Sequence, residues 1–236
     1  LRGMKLLSRA TKKILRQTSL KQTFIVGGTA AAEELFLQTG AVLVTKIVSI
    51  LPTGDFAAYQ VAANVEQLSW AIAGAFGTVT TTLAGQALGR RDLACARARI
   101  RLTWMISLGF GGVLTIAYLF AGPVLVRLYT TDAEVVALAT RMMRISALTV
   151  YGIMTHSAFS GGLRGLCHAA PPLIASLISL WVCRVAGSFI TVRLLSLGIF
   201  AMFLCILADQ WVRALINVVL YRRMIRKGGR QKKQIA

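Results

Sequence analysis

Residues 103–127 read TWMISLGFGGVLTIAYLFAGPVLVR. No charged side chain interrupts the stretch before Arg127, and it is about as long as a helix must be to cross a hydrocarbon core of roughly 30 Å. Five further apolar runs lie near 25–50, 57–86, 136–160, 172–195 and 198–220. Of the 236 residues, 56% are hydrophobic and the mean hydropathy is +0.67, above the roughly 45–50% apolar content of soluble domains. In lipid the backbone must satisfy its own hydrogen bonds, which leaves helices or a closed barrel. A barrel would show short segments of alternating polarity, whereas these runs are long and continuously apolar. The sequence therefore predicts an all-α membrane protein of six transmembrane helices.

The expected connections are short: Pro52-Thr53-Gly54-Asp55, Gly89-Arg90-Arg91-Asp92, Thr130-Thr131-Asp132, and a break before Pro171-Pro172. The formal net charge of +19 is concentrated between the apolar runs. Seven basic residues fall within the first 21 positions (Arg2, Lys5, Arg9, Lys12, Lys13, Arg16, Lys21). Five follow the second run (Arg90, Arg91, Arg97, Arg99, Arg101), Arg164 follows the fourth, and seven close the chain from Arg222 to Lys233. With six crossings these clusters share one side, and the other side holds Asp55, Asp132 and Glu134, with Arg127, Arg141 and Arg193 near helix ends. That is the positive-inside pattern, and it predicts a multi-pass cell-membrane protein with both termini in the cytoplasm. The expected partner of these basic residues is membrane lipid and not nucleic acid.

The organisation expected is a basic, amphipathic cytoplasmic linker at 1–23, a six-helix transmembrane unit at 24–222 and a basic cytoplasmic tail at 223–236. Cys95, Cys167, Cys183 and Cys205 form no C-x-x-C pair and read as small packing residues, so neither a metal site nor a disulfide framework is expected. There is no Walker loop, H-E-x-x-H or G-x-S-x-G, so the chain is not expected to be an enzyme. Any transport would draw on an ion gradient, with H+ or Na+ as the coupling ion and no cofactor.

Charges within the apolar runs are expensive, and they usually face a cavity or a partner. Glu33 and Glu34 lie in the first run, with Gln38 on the Glu34 face at i+4. A low-dielectric site favours a protonated carboxyl group, which can trade its proton for a cation. The alternative is a carboxylate at the interface near a helix N-terminus. Glu66 lies in the second run beside Gln60, Asn64 and Gln67, a polar stripe at helical spacing, with Trp70 at i+4. Such a stripe suits a water-filled cavity or a packed helix interface. Asp209 has Arg213 one turn later, the spacing of a local ion pair, and Arg184 needs a partner or a cavity. His156 reads either as a proton relay or as packing. Gly85-x-x-x-Gly89 is a small-residue helix-packing pattern.

Four segments resemble a known family. Ala57-Ala58-Tyr59-Gln60-Val61-Ala62-Ala63-Asn64 is similar to the opening of the eighth helix of MATE (multidrug and toxic compound extrusion) transporters. Leu83-Ala84-Gly85-Gln86-Ala87-Leu88-Gly89, with Arg90, Arg91, Asp92 and Ala96, resembles the segment that follows it. Ser160-Gly161-Gly162-Leu163-Arg164-Gly165 resembles the family's x-G-x-L-R-G stretch, and Trp181-Val182-Cys183-Arg184-Val185 its W-x-x-R in the eleventh helix. The landmarks keep family order over about residues 24–227. Departures are Gly165-Leu166-Cys167-His168-Ala169 after the arginine, and Ala186 where a proline is frequent.

The resemblance implies an antiporter that exports organic, often cationic, compounds in exchange for H+ or Na+ by alternating access. The family has twelve helices in two lobes, and this chain resembles the C-terminal six-helix lobe. By the same resemblance Glu33 or Glu34 stands where the family's ion-coupling acid lies in helix seven. Glu66 falls in the cavity-facing part of helix eight, and Asp209 near an acidic position of helix twelve. Gln38, Gln60, Asn64, Gln67 and Trp70 are the expected substrate-cavity residues, with Phe76 and Phe159 as further aromatic candidates. The missing N-terminal lobe, or a second copy of the chain, is the expected partner. The alternative is a truncated membrane protein that does not transport. The first residue, Leu1, and the basic entry segment point to a fragment.

Overall fold

A computed structural model describes residues 19–194 and 198–235, and among these residues it contains helices and short turns with no strand. Six long rods account for the apolar runs. They are α1 (Ser19–Val48), α2 (Thr53–Gly89), α3 (Leu93–Phe120), α5 (Ala133–Gly165), a rod that begins as α6 (Ala170–Ser179), and α7 (Gly198–Ile235). The short α4 (Gly122–Arg127) extends α3 past a break that has Pro123 in its first turn, where a missing N–H costs nothing. The α6 rod continues through π-helical turns at Leu180–Ala186 and Ile190–Leu194, with a single α-helical turn, Gly187–Phe189, between them.

The turns follow from their residues. Pro52 precedes α2, and Asp55 sits in its first turn where the helix dipole favours negative charge. Arg91 adopts φ 56°, and the Asp92 carboxylate then accepts from the Cys95 N–H at 2.9 Å to cap α3. Asp132 caps α5 in the same way, accepting from the Glu134 N–H at 2.9 Å. Because Asp92 starts a helix at once, Arg97, Arg99 and Arg101 belong to α3 and not to a connection, and that span begins ten residues earlier than the apolar run implies. Pro171 and Pro172 fall inside the first turn of α6. The expected tail at 223–236 continues α7 as far as Ile235. Most of the expected linker at 1–23 lies outside the described residues.

Three rods are long and apolar enough to cross a membrane by length and composition: Leu93–Phe120, Ala170–Arg193 and Gly198–Ile225. The other three carry more of the polar and ionisable residues singled out above. On α3 the large side chains Leu102, Met105, Phe110, Val113 and Phe120 stay exposed at roughly helical spacing, the surface expected against acyl chains.

The centre of the bundle is α5, which packs against α2, α3 and α7, while α1 packs chiefly on the α6 rod. At Gly161 a Cβ would collide with the Gly77 carbonyl, and at Gly165 with the Thr81 carbonyl. Only glycine lets the backbones of α2 and α5 approach this closely, and Thr81 Oγ1 donates across the gap to Gly161 O at 3.0 Å. The intimate seam is therefore Gly77 against Gly161 and Thr81 against Gly165. A Cβ on Gly85 would lie an ordinary 3.6 Å from Gly165 O, and one on Gly89 would meet nothing.

Candidate functional site

Between α1 and the α2–α5 pair lies a cavity of about 490 Å³. Each wall is one helical face. From α1 come Glu34, Leu37, Gln38 and Ala41, at i, i+3, i+4 and i+7. From α2 come Gln67, Trp70 and Gly74, and from α5 His156, Ser157, Ser160 and Arg164. The α6 rod contributes Arg184 from its first π-helical segment.

Glu34 is exposed on this wall and accepts from Gln38 Nε2 at 2.9 Å. The Glu33 side chain lies outside the described residues. Ser157 Oγ is committed to Ala73 O at 2.6 Å, which ties α5 to α2 at the cavity edge. His156 is buried, its ring 6.5 Å from that of Trp70, and its Nδ1 lies 3.1 Å from Asn217 Nδ2 on α7. An amide nitrogen only donates, so Nδ1 accepts and a neutral ring carries its proton on Nε2. The same Asn217 nitrogen donates to Arg213 O at 2.9 Å.

Behind the cavity is a buried charge cluster. Asp209 is 0% exposed and pairs with Arg213, as its i+4 spacing predicts, with Nη2 at 3.1 and 3.2 Å from the two carboxylate oxygens. Ser179 Oγ lies 2.5 Å from Asp209 Oδ1 and 2.7 Å from its backbone O. Arg184 Nη1 stands 3.9 Å from Oδ2, so the rod arginine finds both the partner and the cavity it needs. Several polar atoms here have no hydrogen-bond partner among the described residues: Arg184 Nε, Arg213 Nε and Nη1, both side-chain termini of Gln210, and Asn217 Oδ1.

The expectations divide. Glu34, Gln38, Gln67 and Trp70 meet on the cavity wall. Glu66 does not line it: at 5% exposure it points into the α2–α5 interface, where Thr149 Oγ1 donates to it at 3.3 Å. Gln60 and Asn64 also stay off the wall. Lower on α2, Ala58, Tyr59 and Ala62 belong to the same buried core as Val44 and Val48 of α1. Asn64 is exposed and Gln60 half-buried. Phe76 packs on Phe110, and Phe159 lies between Trp104 and Tyr221, so neither faces the cavity. The polar wall residues not anticipated are Ser157, Ser160 and Arg164. They follow His156 on one face of a helix that persists to Gly165.

The MatE family model matches residues 30–190. The probable multidrug resistance protein NorM of Thermotoga maritima is 28% identical over 205 residues, covering 86% of this chain and 44% of that protein. A multidrug resistance MATE family transporter of the MOP superfamily, solved in an outward-facing conformation, superposes with a TM-score of 0.77 at 21% identity, covering 84% of this chain and 44% of that one. A MOP superfamily transporter from Pyrococcus furiosus gives 0.78 at 21% identity over 87% of this chain and 45% of that one. This chain spans about half the length of the curated relatives it matches.

Proposed function

The chain belongs to the MatE family, and on that premise we propose that it supplies the C-terminal lobe of an ion-coupled exporter of organic, often cationic, compounds. One observation carries the reading. Glu34 stands on the wall of a cavity that also offers amide, hydroxyl, imidazole and indole surface. A carboxylate in that position can hold a proton, Na+ or a cationic solute, but not two of them at once. Competition for one site couples the ion to the drug, provided the two conformations of the transporter differ in affinity. Glu66 and Asp209 belong to the buried charges beside the cavity, and in this reading they report Glu34 occupancy to the α6 rod and α7 through Arg184. H+ and Na+ both fit the carboxylate chemistry.

The test is ethidium efflux from a drug-sensitive host expressing the complete reading frame that contains this sequence. The parent is expected to export the dye. Glu34→Gln, alone or with Glu33→Gln, is expected to reduce efflux to that of cells with empty vector. Normal efflux from both single variants and the double variant removes these carboxylates from the mechanism.

A second reading is favoured by the chain's share of its relatives' length, 44% of the Thermotoga maritima protein. It is a half-transporter that pairs with a separate N-terminal lobe or with a second copy of itself. Cysteine crosslinking in native membranes from Asn64, an exposed α2 position off the cavity wall, separates the two. A crosslinked species at twice the chain mass supports the copy.

A further inference from the structure

At the end of α3 remote from the basic α2–α3 turn, a groove of about 740 Å³ runs between α4 and the first turns of α5. Pro123 and Arg127 line it from α4 at i and i+4. Ala133, Ala137, Arg141 and Arg144 line it from α5 at i, i+4, i+8 and i+11, a single helical face. Three guanidinium groups thus border one groove, and no carboxylate lines it among the described residues. None of the three arginines holds an ion pair or hydrogen bond among those residues, whose ion pairs all centre on Asp209. The nearby Asp132 is committed to capping α5, accepting from Glu134 N–H at 2.9 Å and Val135 N–H at 3.4 Å. Lys and Arg normally gather in cytoplasmic connections, and the charge pattern of this chain predicts this end on the other side. Arginines concentrated there call for an anion.

The depth of the groove selects which anion. The 33 residues of α5 rise about 50 Å, roughly 20 Å more than a hydrocarbon core. With the helix centred, about 10 Å projects beyond the core at each end. Arg141 and Arg144 follow Ala133 by about 12 and 16 Å of rise, just inside the hydrocarbon boundary, and their stems are long enough to return the charge to the level of lipid phosphate. Deeper along the same face the surface turns apolar. Leu148, one turn after Arg144, is 54% exposed. Beside it α3 is tied on by Thr115 Oγ1 donating to Ala147 O at 3.1 Å, and exposes Ile116 and Leu119. A soluble anion has no use for such a ledge, whereas acyl chains do.

We propose that the α4–α5 groove binds an anionic phospholipid of the adjacent leaflet, with its phosphate on Arg127, Arg141 and Arg144 and its acyl chains along Leu148 and the exposed face of α3. The planar guanidinium fork matches phosphate oxygens, and the pairing is charge-assisted. The groove shares no lining residue with the Glu34 cavity, so the site stands whether or not that cavity transports.

The test reconstitutes the protein from the complete reading frame in phosphatidylcholine nanodiscs. These carry a trace of either phosphatidylglycerol or phosphatidylcholine with a diazirine in the acyl chain, and adducts are mapped by peptide mass spectrometry after illumination. Wild type is expected to give several-fold more adducts within 116–148 from phosphatidylglycerol than from phosphatidylcholine. The double variant Arg141→Gln/Arg144→Gln is expected to lower the phosphatidylglycerol adducts there on the order of tenfold, leaving phosphatidylcholine adducts unchanged, and Arg141→Lys/Arg144→Lys to recover part of the loss. Equal labelling of wild type by the two lipids, undiminished labelling of the glutamine variant, or a parallel loss of both lipids overturns the proposal. Millimolar glycerol phosphate, the headgroup chemistry without chains, is expected not to displace the lipid. Displacement would make the groove a site for soluble anions and overturn the lipid assignment. Where the glutamine variant does not accumulate, the wild-type lipid comparison and the glycerol phosphate competition decide.

Discussion

The two sides of α5 are built differently. Against α2 it forms a dry seam in which Gly161 and Gly165 admit neighbouring carbonyls so closely that no Cβ fits, and Thr81 and Ser157 donate across the gap. Towards α1, the α6 rod and α7 it meets a cavity and a polar cluster with donors and acceptors that have no partner among the described residues. A seam of backbone against glycine has one arrangement, because close-packed interiors do not deform continuously. A wall joined through side chains, of which Ser160 Oγ and Arg184 Nε have no hydrogen-bond partner among the described residues, is held by fewer fixed contacts. The comparison assigns rigidity to the α2–α5 pair and rearrangement to the α1–α6 rod wall.

The largest effect belongs to the seam. Gly161→Leu drives a branched side chain into the Gly77 carbonyl, and neither backbone can yield without separating α2 from α5. The expected outcome is no folded protein in membranes, read as loss of a monodisperse fluorescence-detection chromatography peak. A normal peak would mean that the seam is as adjustable as the cavity wall.

Next comes the charge cluster. Asp209→Ala leaves Arg213, 0% exposed, without its ion pair, and the expected loss is about 3–5 kcal/mol in chemical denaturation. Replacing both residues by Leu and Met is expected to cost less than the single change, since no charge is then left buried alone. A smaller cost for Asp209→Ala would show that water or carbonyl oxygens around the cluster already solvate Arg213, making this side looser than its distances suggest.

Much of this contrast was legible in the sequence, and the illegible part has a physical pattern. Six long helices, the short connections at 89–92 and 130–132, and the Asp209–Arg213 pair all follow from hydropathy, turn chemistry and i+4 spacing, which are local. Whether a polar residue faces the cavity is not local. Gln60, Asn64 and Gln67 share one spacing, yet only Gln67 reaches the cavity, whose extent along α2 is set by how distant helices pack. Glu66 sits beside that stripe but turns into the α5 interface. The π-helical turns that carry Arg184 were equally hidden, since Leu180–Ala186 reads as ordinary apolar helix. Arg164 read only as a basic residue following the fourth apolar run, and it reaches the wall because α5 continues to Gly165.

A smaller effect sharpens the boundary between the two sides. Thr149→Val keeps the shape of the side chain and removes a hydroxyl whose proton is shared between Ser146 O, at 2.7 Å, and Glu66, at 3.3 Å, within the buried α2–α5 interface. The expected destabilisation is about 1 kcal/mol. A loss comparable to that of Asp209→Ala would place Glu66 inside the charge cluster and not at its edge.

The smallest change in stability is expected at the position with the largest proposed role. Glu34 is exposed, its only described hydrogen bond comes from Gln38, and a glutamine oxygen accepts that bond equally well. Glu34→Gln should therefore leave the denaturation midpoint within about 0.5 kcal/mol of wild type, as for an exposed substitution, while abolishing efflux. Function and stability separate at this residue because the cavity wall is not what holds the bundle together. A Glu34→Gln protein that loses efflux and stability in parallel would show that the carboxylate pins α1 to its neighbours, and the division between a rigid seam and a working wall would fail at the residue on which the transport reading rests.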